Sequence, residues 1–268
     1  MNKKQKMTIA GAALFAVLFL FAGAMLVWQH ADGKQSAETF EAVTDLIQPV
    51  ETPQPEIEDG TDKPDPKPLA LEKYAAVHEQ NSDFVGWISI DGTNINYPVM
   101  QTIDNPNFYL KHGFEKQYSN YGIPYVQENC VLGFSDNLVI YGHHMNDGSM
   151  FADLCKYESE DFYREHPTIH FDTLSSLGEY EIVAAFKTVA YSEEGFKFYH
   201  FVNAENEADF DAFVSQCKAL ALYDTGVNAE YGDKLITLST CEYSRPNGRM
   251  VVVAKQVVPP STEVGGDA

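Results

Sequence analysis

"TLSTCEYSRPNGRMVVV" (residues 237–253) contains two β-like runs separated by strong turn chemistry at Pro246-Asn247-Gly248. The first run ends on Cys241, and Arg249 opens the second. Closing the turn brings a thiol and a fixed cation to one rim. A nucleophilic cysteine needs a base or cation to favour the thiolate, a donor for the oxyanion, and access. Arginine stays charged at any working pH and donates through a rigid fork. Neither residue alone separates chemistry from packing or from a solvated charge.

A histidine pair supplies the missing base. "NLVIYGHHMNDGSMF" (137–151) places His143 and His144 directly after a short apolar strand, with Gly142 allowing a close backbone approach. A strand-end imidazole can meet a strand-end thiol at the mouth of a barrel.

The flanking sequence is built for such a frame. "VGWISIDGTNINYPVM" (85–100) alternates around an Asp91-Gly92 turn, and "TIHFDTL" (168–174), "EYEIVAAFKTVAY" (179–191), "KLITLST" (234–240) and "RMVVVAKQVV" (249–258) read as further strands. "PLALEKYAAVHEQNSDF" (68–84) has helical spacing, with Leu71, Tyr74, Ala75 and His78 on one face. "MFADLCKYESEDFYREHP" (150–167) reads as a helix stopped by Pro167, and "ENEADFDAFVSQCKALALY" (205–223) as a second amphipathic helix. Many short strands with a few inserted helices predict a mostly β, barrel-like domain.

The N-terminal quarter differs in kind. Lys3, Lys4 and Lys6 in a basic segment (1–7) precede an uncharged apolar run from Thr8 to Trp28, long enough to cross a hydrocarbon core as a helix. The lysines favour an inside N-terminus and an outside remainder. Ala22-Gly23-Ala24 resembles a signal-peptidase site but lies inside the apolar run, which favours an uncleaved anchor. Residues 29–68, with "ETPQPEIEDGTDKPDPKP", read as an extended acidic, Pro-rich stalk in which "AETFEAVTDLI" forms a transient helix. The folded domain is expected over 69–258, followed by a frayed tail at 259–268.

The formal charge of −21 argues against nucleic-acid binding. Cys130, Cys155, Cys217 and Cys241 fit neither a CxxC pair nor a zinc ribbon. His166 and His170 are separated by Pro167, and no cysteine or carboxylate stands at convincing ligand spacing, so neither metal nor cofactor is indicated. Cys217 reads as packing. A Cys130–Cys155 disulfide stays open at this level.

Taken together, "TLSTC" with Arg249 eight residues on, "YGHHM" with "GSMF" upstream, "DFVGWISIDGTNINYPVMQ" and "FYLKHGFEKQYSNYGIPYV" resemble the sortases, and class B in particular. The resemblance covers roughly Leu69 to Val258. It implies a closed eight-stranded barrel carrying a His-Cys-Arg triad: Cys241 as nucleophile, His143 rather than His144 as the imidazole, and Arg249 rather than Arg245 as the arginine. Ser239 and Thr240 are implied in the substrate groove, and the Glu242 backbone N–H at the oxyanion.

The implied reaction is transpeptidation. A surface protein's C-terminal sorting signal, of the Asn-Pro-x-Thr kind, is cleaved after Thr through a thioester on Cys241. The product passes to an amine of a cell-wall cross-bridge or its lipid-linked precursor. The implied place is the outer face of the cell membrane. Alternative readings are a protease that only hydrolyses, a pilus-polymerising enzyme using a pilin lysine, and an inert surface binding module.

Overall fold

In the computed structural model, which describes residues 3–49, 69–191 and 194–257, the apolar and alternating runs become eight strands. These are β1 Phe84–Ser89, β2 Asn96–Met100, β3 Tyr125–Val126, β4 Asn137–Tyr141, β5 Thr168–Thr173, β6 Glu179–Val189, β7 Leu235–Cys241 and β8 Gly248–Gln256. They close into a barrel in the order β1-β2-β3-β4-β7-β8-β6-β5, the mostly β architecture that the sequence pattern implies. Closure leaves no long unpaired edge.

Two pairings are parallel, β2 with β3 and β4 with β7, and the other six are antiparallel. The β4–β7 pair decides where the chemistry sits. Tyr141 lies opposite Ser239, so the glycine-histidine motif and the cysteine motif leave the barrel side by side. Val251, Val252, Val253 and Ala254 of β8 are all buried, so both faces of this strand are covered, and its sequence is continuously apolar rather than alternating.

The helices brace the barrel from outside. Helix α1 spans Lys3–Thr44, α2 Leu69–Gln80, α3 Glu160–Glu165 and α4 Glu207–Leu220. The side chain of Asn206 caps α4 by accepting from Asp209 N–H, and Phe210, Phe213, Val214 and Cys217 form its buried face. The buried face of α2 is Ala70, Tyr74 and Val77, with Ala75 exposed, a rotation of the face expected from spacing. The partner of Tyr74 explains the rotation: its hydroxyl donates to Asp172 Oδ2 at 2.7 Å, where Lys73 Nζ also binds at 2.7 Å. One β5 carboxylate thus fixes how α2 docks.

The stretch 150–167 is not one helix. A 3-10 segment Ala152–Glu158 stops at Ser159, whose extended backbone starts α3 and whose side chain accepts from Phe162 N–H. Serine prefers capping to a helix interior.

The expected stalk differs over residues 29–44, which are helical. Helix α1 runs without a break through the boundary at residues 28 and 29 as far as Thr44. The first proline after Trp28 is Pro49, so nothing before it interrupts a helix, and the second half finds a partner in the barrel. Phe40 and Val43 are buried in the core cluster, and Phe40 packs edge-on against Tyr97 with ring centroids 5.2 Å apart. Asp32 accepts from Asn120 N–H at 2.8 Å, and Trp28 stacks on Tyr118. The first half is apolar and exposed, including Phe15, Leu18, Phe19 and Phe21, and it is long and apolar enough to cross a membrane. The Pro-rich segment from 50 to 68 and the tail 259–268 lie outside the described residues.

Candidate active site

Cys241 and Arg249 are direct partners across β7 and β8. The following pair, Glu242 and Gly248, is hydrogen-bonded, with Glu242 N–H donating to Gly248 O at 3.0 Å. Pairs alternate along an antiparallel ladder, so Cys241 and Arg249 form a non-hydrogen-bonded pair, where facing side chains stand closest. The loop that closes the pair uses Asn247 in the left-handed region, at φ 55°. Gly248 has no room for a side chain: a Cβ there would sit 2.4 Å from Glu242 O. Arg245 is in the loop and exposed.

On the neighbouring strand, Gly142 N–H donates to Ser239 O at 3.1 Å, and Thr240 Oγ1 donates to Gly142 O at 2.8 Å. The ends of β4 and β7 are thereby pinned together. A Cβ on Gly142 would fall 2.5 Å from the Phe151 ring, so glycine is needed for the close approach. The next residue, His143, is half-buried, and its Nε2 lies 2.7 Å from Leu110 O. A carbonyl only accepts, so Nε2 carries the proton and Nδ1 is the free nitrogen of the neutral ring. Desolvation holds the His143 imidazole below its ordinary value, and the Lys111 charge adds to this, outweighing the Leu110 hydrogen bond.

His143, Cys241 and Arg249 all line one open cavity of about 750 Å³ at this rim, with Ser239 and Thr240 on its wall. Arg249 Cζ lies 5.9 Å from the centre of the Tyr191 ring, and its Nη1 donates to Gly248 O at 2.9 Å. Ser239 Oγ is buried without a hydrogen-bond partner among the described residues.

The structure therefore brings five of the six expected site residues to one wall and separates the sixth. Glu242 does not line the cavity. Its N–H is committed to Gly248 O, so the expected oxyanion role is not compatible with this ladder. Its buried carboxylate accepts from Ser244 N–H at 2.8 Å and Ser244 Oγ at 2.7 Å, and it pairs with Lys187 at 3.4 Å. Burial alone would raise this carboxyl, but the Ser244 hydrogen bonds and the Lys187 charge hold it below the usual carboxylate range. Glu242 is a structural anchor for the loop.

The other cysteines are free thiols. Cys130 is buried, accepts from Val139 N–H at 3.5 Å, and is pushed up to about 11 by burial. Cys155 is likewise pushed up to about 11, and Cys217 is fully buried. No group of three metal-ligating side chains occurs among the described residues. Wall residues that the sequence reading did not single out include Leu110, which holds His143; Tyr141, whose hydroxyl bonds Gln127; and Tyr191, beside Arg249. Tyr141 was visible as the aromatic before the glycine. Leu110 acts through its backbone and left no side-chain signal.

A sortase domain model matches residues 88–257. The chain is 31% identical over 258 residues to sortase B of Staphylococcus aureus, covering 95% of this chain and 98% of that protein. It is 36% identical over 181 residues to sortase B of Listeria monocytogenes, covering 66% and 71%. Its fold matches a structure described as a Staphylococcus aureus sortase B-substrate complex with TM-score 0.64 and 32% identity, over 70% of this chain and 85% of that one. With the barrel, the rim and these likenesses in hand, the chain belongs to the sortase family of cysteine transpeptidases.

Proposed function

We propose that this protein cleaves a C-terminal sorting signal of a surface protein after Thr and transfers the product to a cell-wall amine through a thioester on Cys241. The observation that carries the reading is the convergence of His143, Cys241 and Arg249 on one cavity at the barrel rim. In this mechanism the Cys241 thiolate attacks the threonine carbonyl carbon. A C–S bond forms, and the carbonyl electron pair moves to oxygen. The Arg249 guanidinium stabilises that oxyanion. His143, as imidazolium, gives its proton to the departing amine as the C–N bond breaks. An incoming amine attacks the thioester, His143 takes the amine's proton, and Cys241 leaves as thiolate, ready for another cycle. Ser239 and Thr240 would line the substrate groove, with the Thr240 hydroxyl bonded to Gly142 O.

The apolar half of α1 would anchor the enzyme in the cell membrane, with the lysines of segment 1–7 inside and the barrel outside. Partners in this reading are surface proteins bearing sorting signals, and the amine of the cross-bridge or its lipid-linked precursor. The structural neighbour described as a substrate complex supports the peptide-binding part.

The test is full-length protein in detergent with quenched peptides bearing Asn-Pro-x-Thr variants, wild type beside Cys241→Ala, with and without an added oligoglycine. Motif-selective cleavage, a mass increment on Cys241 and an amine-dependent ligated product are expected, all lost in Cys241→Ala. Cleavage that persists without Cys241 would overturn the reading.

A further inference from the structure

Two histidines follow Gly142, and only His143 lines the cavity. His144 points behind the nucleophile. Its Nδ1 lies 3.1 Å from the Cys241 carbonyl oxygen. The carbonyl accepts only, so Nδ1 carries a proton and donates. Cys155 Sγ lies 3.3 Å from the same nitrogen and 3.7 Å from the same oxygen, so its S–H is a second, weaker donor to that carbonyl. The Tyr243 hydroxyl donates to His144 O at 3.1 Å, and its ring meets the imidazole edge-on at 5.1 Å. The ring is therefore held from two sides.

The ladder explains why a side chain is needed here. Carbonyls two residues apart on a strand point the same way. Ser239 O faces β4 and receives Gly142 N–H. Cys241 O faces the same side one step further on, where β4 has ended at Tyr141. On its other side Cys241 faces Arg249 without a mutual hydrogen bond. The peptide unit carrying the nucleophile thus stands where the β4–β7 ladder gives out, and the His144 imidazole replaces the missing strand donor.

We propose that His144 is a positioning residue for the transpeptidation. By holding the Cys241 carbonyl, it fixes the backbone that aims the Cys241 thiol at the substrate carbonyl, with Cys155 as the auxiliary donor. The inference rests on the reading of Cys241 as nucleophile. A small displacement of a nucleophile is enough to cost about 100-fold in rate.

The experiment compares full-length wild type with His144→Ala, His144→Asn and Cys155→Ala. It measures acyl-enzyme formation on Cys241, kcat and KM for the peptide, and the thermal midpoint. Asparagine keeps a donor near the position of Nδ1, so it serves as the conservative variant. His144→Ala is expected to lower kcat about 10- to 100-fold with KM little changed. His144→Asn should recover most of the loss, and Cys155→Ala should lose less than His144→Ala. Wild-type kcat in His144→Ala would overturn the proposal while leaving the thioester reading intact. Equal losses in His144→Ala and His144→Asn, tracking a fall in thermal midpoint, would reduce His144 to a structural part. Absence of an acyl-enzyme in wild type would instead remove the reading on which the proposal rests.

Discussion

Cys241 and Arg249 stand directly opposite each other on β7 and β8, in the pair where the strands exchange no backbone hydrogen bonds. The eight-residue separation in sequence is thus a cross-strand contact distance. Residues 242–248 make the turn between them, and the β7–β8 register holds the two backbone positions opposite each other. With the Glu242 amide committed to the ladder, the proposed mechanism assigns the oxyanion to Arg249. Arg249→Gln is expected to lower kcat/KM by about 100-fold or more, the scale for a lost oxyanion donor. Arg249→Lys should recover little of it, because a point charge does not reproduce the fork. Steady-state cleavage of a quenched peptide checks both, and a lysine variant within about threefold of wild type would remove the fork from the mechanism.

The His143 imidazole provides a pH signature. Desolvation disfavours its charged form, the Lys111 charge acts in the same direction, and the Leu110 hydrogen bond only partly opposes them. The ring therefore titrates below 6.5, its ordinary value. The productive imidazolium–thiolate pair holds one proton between two groups, so the acid limb of kcat/KM reports the lower of the pair's two apparent values, and the depressed imidazole puts that midpoint below 6.5. Lys111→Gln removes a positive charge that disfavours the imidazolium, so this limb should move upward. A pH–rate profile of both proteins, with a histidine NMR titration, measures it. A downward shift would contradict the assigned sign.

Gly142 makes a test of rim geometry. A Cβ there would meet the ring of Phe151, which is fully buried and has little room to retreat. Gly142→Ala is expected to cost about 1–3 kcal/mol by overpacking and to lower activity as well, because His143 is the next residue. Truncating the ring should relieve the clash, so Gly142→Ala with Phe151→Ala should be less unstable than the sum of the two single changes. Strict additivity in thermal or urea unfolding would show that the two sites do not meet.

The convergence of His143, Cys241 and Arg249 on one rim was legible in the sequence because each sits at a strand terminus marked by local chemistry: Gly142 before His143, the Pro-Asn-Gly turn between Cys241 and Arg249. The barrel strands were legible where they alternate or run apolar. What escaped depends on long-range pairing. Strand β3 has two residues, too few for any periodicity. Leu110 contributes only a carbonyl. Glu242 was assigned an oxyanion amide from its place in the motif, but the fate of that N–H depends on which residue lies opposite, and that is decided by the loop. Residues 29–44 were grouped with the Pro-rich segment by composition, although Phe40 and Val43 had the spacing of a docking face whose partner lay in the barrel.

That last difference leads to a stability prediction. If the second half of α1 is part of the catalytic unit, Phe40 matters to the barrel although it precedes the Pro-rich segment. Its side chain is buried against Tyr97 and the core, and removing a buried Phe side chain costs about 3–5 kcal/mol. Phe40 lies at the edge of the core, so Phe40→Ala should fall at or below the lower end of that range, seen as a reduced thermal midpoint of the full-length protein in detergent. Leu18→Ala, in the exposed apolar half of the same helix, serves as the control and should leave the midpoint in place. The helix meets the barrel on the side of Tyr97, Tyr118 and Asn120, none of which lines the cavity. Below its unfolding temperature, Phe40→Ala should therefore keep kcat near wild type. An unchanged midpoint in Phe40→Ala would mean that residues 29–44 tether the barrel without bracing it.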